Sequence, residues 1–466
     1  MPGGKGFVDS PTWFEERFGF KERSYKDTHR QFEFADGILT SKVNGANFHV
    51  GAFETPSLEE LRDRLGVARA DDLGSLSFEN VTGAAKTLHL DPINAGAVFQ
   101  VASQFNCLEM NEPGARPEDG VTRYYCDATQ GPACALACPA ATVYRNYFVN
   151  DGRGQAGKVQ IDCLAGVADL LENAKERHWK MVNGYCMPDS SGGIARASAR
   201  IKADPALAER VQAALRVGVH WDTEVKGGSH RVCQVFSSAL PVAYAKSVRS
   251  NDWAPFACAV LDATYVATLT VATLLAAQRQ ERVKVFLTAV GGGAFGNRSM
   301  WIVNAMEKAL ASFKEAPLDV KLVHFGSVPR GTYKSLEEGR KPKAATAKVS
   351  KVAAGPAAAG SSPLPASACA EDAGDVAPAA DGSPPGEAGG TPATLTRSGS
   401  GVERLAALFA KFDENGDGVM DKAEMCRMLR SLDESFTEEA MCRLFENADA
   451  DGDGEVHYAE FIAWVC

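Results

Sequence analysis

The chain has 466 residues, of which 45% are hydrophobic and 23% charged, and carries a formal net charge of -10. That charge is uneven: residues 401–466 hold 16 Asp plus Glu against 6 Lys plus Arg, so residues 1–400 are close to neutral. The length accommodates two or three domains, and the near-neutral body lacks the basic face that nucleic-acid binding needs.

The opening MPGGKGFVDSPTWFEERF has no apolar stretch to serve as a secretory signal, and Pro2 excludes an N-myristoylation start. Twelve cysteines are scattered without a C-x-x-C pair, which reads as reduced thiols in an intracellular, cytoplasmic protein. At Cys126, Cys134 and Cys138, the nearest cluster, no fourth ligand stands at a zinc spacing, so reduced thiols and a zinc site both stay open.

From Gly6 to Tyr333 (6–333) the pattern reads as one mixed domain. Strand-like runs at Ala97–Ser103, His230–Leu240, Lys284–Val290 and Asp319–Gly326 alternate with helical stretches such as SLEELRDRL and DPALAERVQAALRV. This alternation predicts an α/β fold with a mostly parallel sheet. Ala257–Ala277 is long enough to span a bilayer, but it contains Asp262 and four threonines and leads straight into a strand. It is expected to be a buried helix covering the sheet, with no membrane span.

VFLTAVGGGAFGNRS, Val285–Ser299, places a glycine turn between that strand and the helical pattern MWIVNAMEKAL. Such a turn presents bare backbone N–H groups at a helix N-terminus, where anions and phosphates bind. It formally contains G-x-G-x-x-G, but a dinucleotide fold needs an acid at the end of the next strand and a second half of the sheet. Here His324 and Phe325 hold that place, and only one more strand precedes the linker. A purely structural loop, with glycines that permit close helix–strand packing, is the other reading.

VFLTAVGGGAFGN resembles the phosphate-binding loop of macrodomains and, more closely, of their poly(ADP-ribose) glycohydrolase-like members. ENVTGAAKTLHLDPINAGAVFQVAS is similar to the macrodomain opening, although Ala84 replaces the usual adenine-binding Asp and Gln104 stands near the place of the ribose-binding Asn. The resemblance implies a three-layer α/β/α fold that binds ADP-ribose, a related nucleotide or an ADP-ribosylated protein, with hydrolysis of ADP-ribosyl linkages in many members. It implies that Gly291, Gly292, Gly293, Ala294, Phe295, Gly296 and Asn297 hold the ligand, the amides around the diphosphate and Phe295 near the distal ribose. Gln104 and Asn106 would lie beside it, with Thr129–Ala141 facing the ligand. Residues Gly6–Glu60 and about Met110–Arg231 read as elaborations of that fold. Cleavage at a ribosyl carbon needs a carboxylate, and Glu109, then Asp127, are the candidates. Arg145 is either a phosphate partner or a structural cation packed on a ring.

Residues 341–400 contain 40 Ala, Pro, Gly or Ser among 60, with no aromatic residue, and are expected to form a disordered linker. As a flexible coil it would span about 40–45 Å. Its basic start, KPKAATAKVSK, is either a solubilising spacer or a tether for the acidic tail.

Residues 401–466 carry the strongest pattern. DENGDGVMDKAE and DADGDGEVHYAE both match the twelve-residue EF-hand calcium loop. Ligands fall at Asp413, Asn415, Asp417, the Val419 carbonyl, Asp421 and Glu424, and at Asp449, Asp451, Asp453, the Glu455 carbonyl, His457 and Glu460. Alternate positions of a tightly curled loop point inward, and a long carboxylate at the twelfth place completes the oxygen shell of a hard cation. Two Ca2+ sites are therefore expected, in one lobe where Met420 and Val456 pair across the loops. Met425, Met428 and Met441 line either an opening groove or a core. Three functions follow: a calcium-regulated ADP-ribosyl hydrolase, a non-catalytic calcium sensor or adaptor, and a calcium buffer fused to a structural α/β domain. Contact between the lobe and the large domain or linker is a further expectation.

Overall fold

The computed structural model describes residues 10–67, 73–228, 230–329, 332–337, 340, 412, 419–432, 445 and 456–457. The expected linker, 341–400, lies outside the described residues.

Three antiparallel strands come first: β1 (Phe32–Ala35), β2 (Ile38–Ser41) and β3 (Asn47–His49). They are followed by β4 (Ala52–Glu54), β5 (Ser77–Thr82) and β6 (Val98–Ala102), and by a hairpin of β7 (Trp179–Val182) and β8 (Tyr185–Pro188). β9 (Gly218–Glu224), β10 (Arg231–Ser237), β11 (Val283–Leu287) and β12 (Leu318–His324) complete the domain. The central sheet has seven strands in the order β4-β9-β10-β6-β11-β12-β5. From β10 to β5 the strands run parallel, while β9 pairs antiparallel with β10 and β4 antiparallel with β9.

The two faces of the sheet follow from strand alternation. Cys233, Val98, Val285 and Val320 share one row by register and enter the largest core with the helix Ser250–Arg279. Phe99 and Phe286 point the other way, stacked at 4.6 Å between centroids, and pack with Cys138 and Ala141 of the segment 130–147. Helices thus cover both faces, and the large domain is the three-layer α/β/α arrangement expected.

Ser250–Arg279 is long and apolar enough to cross a membrane, and 78% of its most apolar window is buried against the rest of the fold. Its threonines fit a dry helix because their hydroxyls donate back to carbonyls one turn earlier: Thr268 to Thr264 at 2.9 Å, Thr270 to Val266 at 2.7 Å, Thr273 to Leu269 at 2.8 Å. Asp262 pairs with Lys308 of the neighbouring helix Ser299–Ser312 at 2.7 Å.

A second core joins the N-terminal region to the segment after β6. Trp13, Phe14, Phe18, Phe32 and Phe48 pack with Leu108, Tyr124, Val143 and Tyr147, and the Trp13 indole N–H donates to the Thr122 carbonyl at 2.8 Å. Each such aromatic contributes about 1.5–3 kcal/mol by burial. The domain also runs past Tyr333: the Phe78 N–H donates to the Arg340 carbonyl at 2.9 Å, and the Arg340 guanidinium pairs with Glu307. Nine described cysteines are free thiols.

Candidate functional site

The glycine segment is a loop between β11 and the helix Ser299–Ser312, as its pattern predicts. Two glycines are required by its shape. Gly291 sits at φ +76°, where an added Cβ would lie 2.4 Å from Ala239 Cβ, and Gly296 sits at φ +68° against Ala243. The turn is closed by Asn297 N–H to Gly291 O at 2.8 Å and Gly296 N–H to Gly293 O at 2.9 Å. Asn297, buried, donates to the Leu240 carbonyl at 2.9 Å. The remaining amides behave differently. Gly292, Gly293 and Ala294 are exposed, and the N–H groups of Gly293, Ala294 and Phe295 meet no protein acceptor among the described residues. A Cβ on Gly293 would touch nothing within 4 Å. The loop is a rigid frame with open donors at its crest.

The loop after β6 is the opposite. Gln104 donates to the Met110 carbonyl at 2.9 Å and accepts the Met110 N–H at 2.7 Å, so both ends of its amide are taken. Asn106 donates to Gln160 at 3.0 Å and accepts the Leu108 N–H at 3.2 Å. Glu109 is fully buried, with both carboxylate oxygens 3.1–3.3 Å from Arg145 Nη2. Burial raises its carboxyl to about 7, against the lowering pull of the Arg145 charge. Arg145 also donates through Nε to the Cys107 carbonyl at 3.0 Å and lies 3.8 Å above the Phe236 ring. Glu109, the first candidate carboxylate of the sequence, thus lies in the interior with the buried Arg145 as its partner.

Asp127 is half-buried and accepts the Thr129 N–H at 2.8 Å and the Thr129 hydroxyl at 2.6 Å. Its charge, with that of Glu112, reaches Tyr185, whose phenol is pushed up chiefly by burial. Tyr185 in turn lies 5.5 Å from the Phe295 ring. Behind Asp127, Gln130 extends the β6 ladder by accepting the Ala102 N–H and donating to the Gln100 carbonyl, both at 2.8 Å. This contact anchors the helix Gln130–Ala137 on the sheet. Cys134 and Cys138 are buried and Cys126 is exposed; no trio of metal donors is gathered among the described residues. Ala84 ends the turn after β5 with no side chain to offer a base. The Gly83 N–H of that turn donates to the His324 carbonyl at 2.9 Å, and Phe325 beside it is 84% exposed. Tyr244, which the pattern alone did not bring forward, has its ring 5.6 Å from that of Phe295.

In the C-terminal segment, Asp413, Asn415, Asp417, Asp449, Asp451, Asp453, Glu455, Glu460 and Met441 lie outside the described residues. The described ones form a two-residue ladder: β13 (Val419–Met420) pairs antiparallel with β14 (Val456–His457), and Met420 faces Val456 as expected. Met420, Met425, Met428, Phe445 and Val456 are buried, so two of the three methionines are core here. Asp421 and Glu424 cap the helix Lys422–Leu432 reciprocally: Glu424 N–H donates to Asp421 at 2.7 Å and Asp421 N–H to Glu424 at 2.9 Å.

Residues 402–466 match the family model of the EF-hand domain pair. That segment is an EF-hand pair. Curated relatives include polcalcin Cup a 4 of Hesperocyparis arizonica, 41% identical over 61 residues, 13% of this chain and 37% of that protein. Probable calcium-binding protein CML28 of Arabidopsis thaliana is 46% identical over 55 residues, 12% of this chain and 65% of that one. The chain thus spans less than two thirds of the relatives' lengths. Among solved structures, the poly(ADP-ribose) glycohydrolase from Deinococcus radiodurans in complex with ADP-ribose is similar at 12% identity and TM-score 0.30, covering 61% of this chain and 92% of that one. The Thermomonospora curvata enzyme bound to the inhibitor ADP-HPD gives 13% identity and TM-score 0.30 over 66% and 92%. The reading of the site therefore rests on its own geometry.

Proposed function

We propose that the protein binds calcium through its EF-hand pair, and ADP-ribose or a related nucleotide through the crest of the glycine loop. The observation that carries the nucleotide reading is the set of unpaired amides of Gly293, Ala294 and Phe295, held next to the N-terminus of a fourteen-residue helix. Diphosphate oxygens match such donors in charge and geometry. Phe325, 84% exposed at the end of β12, offers a ring on which a base can stack. For calcium, the oxygen-rich twelve-residue loops supply the donors, and the reciprocal cap sets the twelfth-place Glu424 at the start of the outgoing helix. Both loops carry a full set of side-chain donors, which supports two sites. The free thiols suit an intracellular setting.

Hydrolysis, if the domain performs it, falls to Asp127. It is a half-buried candidate acid fixed by Thr129, and a carboxylate near the ribosyl carbon would stabilise positive charge developing there. Asp127→Asn then lowers turnover by about 10²-fold or more while binding persists. A second reading, a calcium-responsive module that binds without cleaving, is favoured by the interior position of Glu109. Turnover assays on an ADP-ribosylated peptide separate the two.

Isothermal titration of the full chain with ADP-ribose, in excess EGTA and in saturating calcium, tests the whole. Binding that differs between the conditions supports calcium control. Equal binding removes the coupling, and no heat in either removes the nucleotide.

A further inference from the structure

Two cysteines that stand 56 residues apart in the chain meet inside the largest core, Cys107 Sγ and Cys163 Sγ lying 3.6 Å from each other. Both are buried, at 1% and 3% exposure. Their backbones are fastened together: the Cys163 N–H donates to the Phe105 carbonyl at 2.9 Å, and the Asn106 carbonyl accepts the Gln155 side-chain amide at 3.0 Å. On its other side the Cys163 carbonyl accepts the Arg216 N–H at 3.1 Å. Cys107 has a left-handed backbone, φ +59°, which residues other than glycine rarely adopt and which persists only where the surroundings impose it. Its sulfur stands 2.6 Å from where a Cβ on Gly218 would be, so the glycine on β9 is what leaves it room. Backbone and packing together hold the Cys107 sulfur against Cys163. The hydrogen bond to Cys107, and then burial, push the Cys163 thiol up, so at rest the pair is a protonated dithiol.

We propose that Cys107 and Cys163 are a modification site: a dithiol that a peroxide oxidises to a disulfide, tying the loop after β6 to the segment ahead of the helix Ala165–Leu170. The proposal is independent of the nucleotide and calcium readings. Cys163 Sγ, once deprotonated, attacks one peroxide oxygen; the O–O bond breaks, hydroxide leaves, and the sulfur becomes a sulfenic acid. Cys107 Sγ, deprotonated in turn, attacks that sulfur and expels the second hydroxide. The two thiol protons turn both hydroxides into water, and the two electrons lost by the sulfurs are those gained by the peroxide. To bond, the sulfurs close by about 1.5 Å, a movement within the reach of side-chain rotation. Residues 157–164 contain no helix or strand, and a small uncharged oxidant needs only a local opening there. The Cys107 carbonyl accepts Arg145 Nε at 3.0 Å, so the new bond also stiffens the support of the interior ion pair.

The test treats the folded full chain with hydrogen peroxide, caps the remaining thiols with an alkylating reagent, and maps unreduced peptides by mass spectrometry, with thermal unfolding before and after treatment. The expected result is a peptide pair joined through Cys107 and Cys163, and an unfolding temperature raised by about 5 °C, since the bond closes a long loop. Dithiothreitol should return both to their starting values. Cys163→Ser and Cys107→Ser should show neither the pair nor the rise, and because either variant could fold poorly, the peptide map of the native protein decides by itself. Absence of the pair in folded protein whose exposed Cys126 has been oxidised overturns the proposal, as does a pair that forms only in urea. A rise in unfolding temperature that survives dithiothreitol comes from sulfur oxidised beyond the disulfide and overturns it as well.

Discussion

β6 and β11 lie side by side in the sheet and run the same way, yet the loops that leave them use their polar groups in opposite directions. After β6, Gln104, Asn106 and Glu109 turn inward and meet partners within the fold. After β11, glycines turn outward and leave amides at the surface. The side chains of the first loop meet partners within the fold, and backbone amides of the second make the candidate site. A polar group at a strand's end becomes a binding group only when the neighbouring segments leave it unsatisfied.

The largest expected effect tests the inward loop. Glu109→Ala leaves the Arg145 guanidinium buried without its carboxylate and should cost about 3–5 kcal/mol in denaturant unfolding. Loss below about 1 kcal/mol would show that water reaches the pair. The pH dependence of the same group comes next. Its carboxyl titrates near 7 in the fold but at about 4.3 in the unfolded chain. Between those values the native state binds the extra proton, so this group makes stability fall as pH rises through that window, by up to about 3 kcal/mol. Glu109→Gln removes that part of the slope, which unfolding curves at pH 5 and pH 7.5 will reveal.

The outward loop separates into frame and crest. Gly291→Val forces a branched residue to φ +76° against Ala239 and is expected to lower stability by about 1–3 kcal/mol. Gly293→Val, at a place with nothing within 4 Å, should change stability by less than about 0.5 kcal/mol. It should nevertheless weaken ADP-ribose about tenfold by covering the amides. A Gly293 variant that loses stability and keeps its affinity would reverse the assignment of the two glycines. In the C-terminal segment, Glu424→Gln removes one carboxylate from the first calcium loop and is expected to lower calcium affinity there on the order of tenfold, read by titration against a chelator dye.

Legibility in the sequence followed how local the deciding contacts are. The EF-hand loops were readable because their donors stand in one twelve-residue run. β6, β10, β11, β12 and the long helix were readable from their pattern, unlike the edge strand β5, and the helix's threonines bond within their own turn. β9 was not, because it follows a helical pattern by a few residues and its antiparallel pairing is set by β4 and β10, far apart in the chain. The ion pair of Glu109 was not legible because its partner stands 36 residues away. Tyr244 carries no motif at all: its place beside Phe295 arises from hydrogen bonds between two loops.

The ladder Val419–His457 and Met420–Val456 has a consequence for signalling shape. Each short strand sits inside one of the two ion loops, so whatever stiffens one backbone stiffens the other through two residue pairs. Ordering lost once is not lost again at the second event. Two loops joined in this way would, with calcium in both, answer a rising ion concentration with a threshold in place of a proportional dial.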